Sequence, residues 1–165
     1  MSFDIAVFTT AGLKLEAQIR YAGSSAEQVF QVLGDPELIP QWYLLAKQVH
    51  LHEVPADAEQ TFSVEFTFFG LVDEEILHWD PPNRYVYQAK GTGFPIKDYV
   101  ASIEINEDTS DSGTMTWRIY WDNIEGEHYQ RILPVMLPAI NEASMHKLSP
   151  LIGGFECSVR SFCDV

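Results

Sequence analysis

The hydrophobic pattern of the chain changes period twice. From Leu13 onward Leu13, Leu15, Ala17, Ile19 and Tyr21 point one way and Lys14, Glu16, Gln18 and Arg20 the other, which predicts a strand with one buried face. Gly23 ends it. Ser24 or Ser25 then caps a helix over SSAEQVFQVLGD, with Gln28 in the capping-box position after Ser25 and Val29, Phe30 and Leu33 as the apolar stripe. Gly34 and the Asp35-Pro36 pair close this helix and open a second short one through Trp42. Beyond it the period becomes two, and strands are predicted at Ala46 to Val54, Thr61 to Phe69, Leu71 to Trp79, Arg84 to Gly91, Tyr99 to Asn106 and Gly113 to Trp121. The segments PADAEQ, Gly70, DPPN, GTGFPIKD and EDTSDSG between them carry turn chemistry, and links this short make antiparallel neighbours.

The helical period returns from Gly126 to Ile152. Tyr129, Ile132, Leu133, Met136, Leu137, Ile140, Ala143 and Leu151 fall on one side, and Gln130, Arg131, Asn141 and Glu142 on the other. Pro134 and Pro138 project to the polar side, where proline bends a helix around what it packs against, so one kinked helix is expected; a break near Pro134 is the alternative. Residues 1–11 read as a short strand or arm and residues 153–165 as a tail, around a core of about 13–152 in a single domain of 1–165.

An antiparallel sheet with one apolar face and one long helix to cover it must curl around that helix, and bulky inward residues then leave a gap. Taking the more apolar face of each strand puts Phe62, Val64, Phe66, Tyr85, Tyr87, Tyr99, Ala101, Ile103, Met115, Trp117 and Ile119 inward, facing Met136 and Ile140. The hydroxyls of Tyr85, Tyr87 and Tyr99 each need a partner, which points to a wet or ligand-filled interior. The expected ligand-contacting set is Trp42, Phe62, Phe66, Tyr85, Tyr87, Tyr99, Trp117, Met136 and Ile140.

Composition narrows the partners. A formal net charge of −14 repels phosphate backbones and anionic head groups, so neither nucleic acid nor a membrane surface is expected as a partner. There is no basic leader and no apolar run of spanning length, which favours a cytoplasmic protein, monomer or homodimer, with Cys157 and Cys163 reduced.

The run SSAEQVFQVLGDPELIPQW, then EEILHWDPPNRYVYQ, then GTMTWRIYWD before an amphipathic helix resembles the helix-grip superfamily of START and pollen-allergen-like proteins, in particular its polyketide cyclase/dehydrase group. The resemblance implies an α+β helix-grip fold: a curved seven-stranded antiparallel sheet around a long C-terminal helix, with two short helices after the first strand. It also implies an apolar cavity for a lipid-like or aromatic molecule. It carries over no catalytic motif and no cofactor.

Candidate chemistry rests on few residues. Asp73, Glu74 and Glu75 are consecutive on a strand, so either Glu74 or the pair Asp73 and Glu75 faces inward. An acid among aromatics has its pKa raised and is suited to acid/base work, which makes Glu74 and Glu75 the candidate catalytic residues; pairing with Arg84, or solvation at an open end, is the plainer outcome. Lys147 falls within the helix stripe, where it snorkels or meets an acid. His50 and His52 have H-x-H spacing on one strand face but lack a third ligand, so no metal is expected. The Gly91 to Gly93 G-x-G precedes Phe94-Pro95 rather than a helix, which excludes a dinucleotide fingerprint and leaves a flexible loop over a cavity mouth. Three functions follow: a binder of small hydrophobic or aromatic molecules, a cyclase, dehydratase or isomerase using an inward acid, or an acidic protein-interaction module with a filled interior.

Overall fold

The computed structural model describes residues 3–58 and 60–163. In chain order the strands are β1 (Leu13–Ala22), β2 (Ala46–Leu51), β3 (Thr61–Phe66), β4 (Gly70–Asp80), β5 (Arg84–Lys90), β6 (Ile96–Lys97), β7 (Tyr99–Thr109), β8 (Ser112–Tyr120), β9 (Asn123–Ile124) and β10 (Gly154–Ser161). The helices are α1 (Ala26–Gly34), α2 (Ile39–Trp42) and α3 (Glu127–Ile152). Eight strands form one antiparallel sheet in the order β10-β1-β8-β7-β5-β4-β3-β2, and β6 pairs with β9 beside it. This is the helix-grip arrangement, with α3 lying across the inner face.

Local chemistry sets the elements. Ser25 Oγ accepts from the Gln28 N–H while the Gln28 side chain accepts from the Ser25 N–H, closing both sides of the capping box on α1. Helix α3 runs unbroken through Pro134, Pro138 and Pro150. It stops at Gly153, whose φ of 74° is the left-handed conformation that releases the chain directly into β10.

Three expectations need correction. The sheet has eight strands rather than seven, because the residues read as a tail pair with β1 from Leu15↔Ser161 to Tyr21↔Gly154. As an edge strand lying over α3, β10 alternates weakly and exposes Phe155 and Phe162 beyond it, so period-two patterning is faint there. That strand also rotates the buried stripe of α3. Leu133, Leu137, Ile140, Asn141, Ser144, Met145, Leu148, Ser149 and Ile152 are buried, whereas Leu151 and Lys147 are exposed. Ser144 and Ser149 reach the inside by donating to the carbonyls of Ile140 and Met145.

The arm forms a 3-10 turn at Ile5–Val7 capped by Asp4, whose Oδ1 accepts from the Ala6 N–H at 3.0 Å. It passes over the outer face, where Phe3 and Phe8 flank the His78 ring and the Arg84 guanidinium lies 4.4 Å from the centre of the Phe3 ring. Val86, Val100, Ser102 and Tyr120 are buried on that outer face, apart from the main core.

Candidate functional site: a cavity between sheet and helices

Cross-strand register builds the inner face row by row. One row runs Phe62, Glu74, Ala89, Tyr99 across β3, β4, β5 and β7; another runs Trp79, Tyr85, Ile103, Trp117, Ala17 across β4, β5, β7, β8 and β1. The register slips between Ile76 and His78 on β4, and this irregularity changes the parity of the strand. Without it His78 would follow Glu74 and Ile76 inward. With it Trp79 faces in and His78 turns out to meet the arm.

Alanines at positions 17, 89 and 101 interrupt the rows of large side chains, and the sheet stands off from α3. The resulting cavity holds about 70 Å³ of void lined by β3, β4, β5, β7 and β8, by Trp42 and Tyr43 at the end of α2, and by Leu137 and Asn141 of α3. Gln60 and Trp79, which are also exposed to solvent, mark its mouth beside Gly34 and Pro36.

Of the expected ligand-contacting residues, Trp42, Phe62, Phe66, Tyr85, Tyr87, Tyr99 and Trp117 line the cavity. Met136 and Ile140 do not. The rotation of α3 carries them into the surrounding core and presents Leu137 and Asn141 instead. The G-x-G loop is packed rather than free: a Cβ on Gly91 or Gly93 would lie 2.7 Å from the carbonyl oxygen of Leu71 or Phe69. Phe94 from this loop lines the cavity's far end.

The three acids divide cleanly. Glu74 lines the cavity, while Asp73 accepts from Ser63 Oγ at 2.5 Å and Glu75 accepts from Gln88 Nε2 at 2.6 Å on the outer face. The candidate catalytic assignment to Glu75 is therefore corrected: its carboxylate is engaged outside. Glu74 is half-buried and lines the cavity between Phe62 and Ala89. Burial there pushes its pKa from 4.5 up to about 8, so at neutral pH it is mostly the protonated acid. Arg84 does not pair with it; its ion-pair partner is Asp80 at 3.8 Å.

Four tyrosines surround this acid. Burial is the main cause that raises the pKa values of Tyr43, Tyr85, Tyr87 and Tyr99, and the charge of Glu74 adds to each. The rings of Tyr87 and Tyr99 lie side by side with centroids 6.3 Å apart. Tyr85 has a structural partner, donating to the Leu33 carbonyl at 2.8 Å and so tying the end of α1 to the sheet.

The histidines play other parts. His52 meets Thr61 and Ser63 on the outer face at 3.1 and 2.8 Å. Among the described residues no group of three His, Cys, Asp or Glu side chains is placed to hold a metal, and no helix is long and apolar enough to cross a membrane.

Residues 13–150 match the family model described as polyketide cyclase / dehydrase and lipid transport. Solved structures with the same fold include a START superfamily protein from Mycobacterium smegmatis, with a TM-score of 0.70 at 12% identity over 86% of this chain and 97% of that one. The Zhui aromatase/cyclase of Streptomyces sp. R1128 has a TM-score of 0.66 at 12% identity, over 86% and 92% of the two chains. An HSP90 activator from Plasmodium falciparum has 0.64 at 13%, over 89% and 100%. No curated protein matches by sequence.

Proposed function

The chain belongs to the polyketide cyclase / dehydrase and lipid transport family, and from that premise we propose that its cavity binds a small hydrophobic or aromatic molecule of lipid- or polyketide-like character. The observation that carries this reading is a void in the middle of the core, walled by aromatic side chains and reached past Gln60 and Trp79. A void of about 70 Å³ is under half of the roughly 150 Å³ that admits benzene in an engineered apolar cavity. A ligand of one ring or more therefore opens the site further as it binds.

Thermal unfolding against a panel of single-ring to sterol-sized compounds tests the proposal. A ligand at a hundred times its dissociation constant adds about 2.7 kcal/mol and raises the melting temperature. A flat response across the panel, together with no co-purified molecule in a native mass spectrum, would remove it.

The inward acid supports a second reading, a cyclase, dehydratase or isomerase. A protonated Glu74 among tyrosine hydroxyls is placed to protonate or polarise a carbonyl on a bound substrate, and its raised pKa suits general acid/base work near neutrality. Replacing Glu74 by Gln should then abolish turnover of a bound polyketide-type substrate and leave its binding in place. Unchanged turnover would leave ligand binding alone.

A further inference from the structure

Building on the binding reading above, we infer that the ligand is an uncharged molecule with an oxygen acceptor, such as a ketone, ester or lactone, and that the acceptor is held by the indole N–H groups of Trp42 and Trp117 and the amide of Asn141. These residues are 4%, 3% and 1% exposed, and all three line the cavity. Among the described residues Trp42 Nε1, Trp117 Nε1 and both polar atoms of the Asn141 amide have no hydrogen-bond partner, and neither do Tyr21 Oη and Arg84 Nε away from the cavity. Buried polar groups are nearly always paired, so three such side chains on one cavity mark a place where a guest supplies the partner.

Three separate elements bring them together. Trp42 ends α2, Trp117 lies mid-strand on β8 and Asn141 faces in from α3. The two indoles meet edge to face with centroids 5.9 Å apart. Just after α2, the Leu44 N–H donates to Ser144 Oγ at 3.0 Å, which clamps that end of α2 to α3 about one turn from Asn141.

Donor and acceptor counts set the ligand's chemistry. Two indoles give two donors, and a primary amide gives two more with a single acceptor oxygen, so the unpaired set is rich in donors. Its complement is an acceptor. Charge sets the rest: among the described residues no Lys, Arg or His lines the cavity and Glu74 is the one carboxyl group there, and the chain carries −14 overall. A carboxylate or phosphate would lose its hydration there and gain no cation.

Three shape-matched probes test this on the full chain: acetophenone with an acceptor, ethylbenzene without one, and benzoate with a negative charge. Binding is followed by the indole N–H resonances of the four tryptophans in two-dimensional NMR, assigned by single Trp→Phe variants. Acetophenone is expected to bind at least about tenfold more tightly than either other probe. It should also move the Trp42 and Trp117 N–H signals downfield, a change ethylbenzene does not produce. Asn141→Leu should weaken acetophenone about tenfold and leave ethylbenzene unchanged or tighter. Ethylbenzene binding as tightly as acetophenone, or stationary indole signals, overturns the acceptor site while ligand binding stands. Benzoate as the tightest probe overturns the charge rule. If none of the three binds, the acceptor site falls, and the binding reading is decided separately by the larger members of the thermal-unfolding panel.

Discussion

Replacing Glu74 by Gln should flatten the dependence of stability on pH. The folded state raises the pKa of Glu74 from 4.5 to about 8 through burial, so between those values it holds a proton that the unfolded chain has lost. Stability from this group is therefore full below about pH 4.5, falls as the pH rises toward about 8, and is level above that. Each pKa unit is about 1.4 kcal/mol, which makes the whole span about 5 kcal/mol; water drawn into the cavity around the ionised form reduces this, and about 2 kcal/mol is the least expected. Gln keeps the shape and cannot ionise. Urea unfolding of both proteins from about pH 5 to about pH 9 gives the difference in unfolding free energy directly, and the common effect of the high net negative charge cancels. The variant should gain on the natural protein as the pH rises toward about 8, by about 2 to 4 kcal/mol between the two ends of that range. Parallel curves would refute the argument, because they require Glu74 to titrate alike in the folded and unfolded chains.

Two further perturbations probe the cavity and its support. Ala89 lies between Glu74 and Tyr99 in its row, so Ala89→Leu should fill that space and lower the affinity of any cavity ligand at least about tenfold, at an overpacking cost of about 1 to 3 kcal/mol in thermal unfolding; undiminished binding would place the ligand elsewhere. On the outer face Arg118 holds Glu16 and Glu104 at 2.8 Å each, joining β1, β8 and β7. Arg118→Ala should cost about 1.5 to 3 kcal/mol, less in high salt, and a salt-independent loss would mean that packing of the side chain rather than its charge carries the effect.

Alternation made the sheet readable because β1, β3, β4, β5, β7 and β8 each carry a continuous inner row of buried side chains and are joined mostly by short links. Where a strand lacks such a row the signal fades: β10 has no fully buried residue, with only Cys157 and Val159 packed against the core, and β6 and β9 contribute two residues each. The same faint pattern misplaces the stripe of α3: without β10 to cover its far side, periodicity puts Leu151 on the apolar face and Asn141 on the solvent face. The burial of Ser144 and Ser149 carries a signal that the sequence does contain. Small hydroxyl residues at helical spacing with Asn141, Met145 and Leu148 continue the stripe once serines are allowed to bond back to their own helix.

The register of β4 was also within reach. Turning Asp73 and Glu75 inward would bury two carboxyl groups along with Leu71 and Leu77, whereas turning Glu74 inward buries one along with Val72 and Ile76; with the aliphatic partners matched, the second costs less desolvation. What patterning could not supply is the irregularity after Ile76, which decides that Trp79 and not His78 stands at the mouth.

One buried acid and three unpaired polar side chains are an expensive way to line a core. A leucine in place of Glu74 would meet Phe62 and Ala89 without a desolvation penalty, and a larger residue than alanine at position 89 would close the void beside it. A domain of this size is stable by only about 5 to 15 kcal/mol, so a penalty of several kcal/mol at one carboxyl is a large fraction of the total. Packing alone gives no reason for Glu74, Trp42, Trp117 and Asn141 to converge on the same void. A guest that accepts from the indoles and the amide, and meets the protonated acid among the tyrosines, accounts for all four at once.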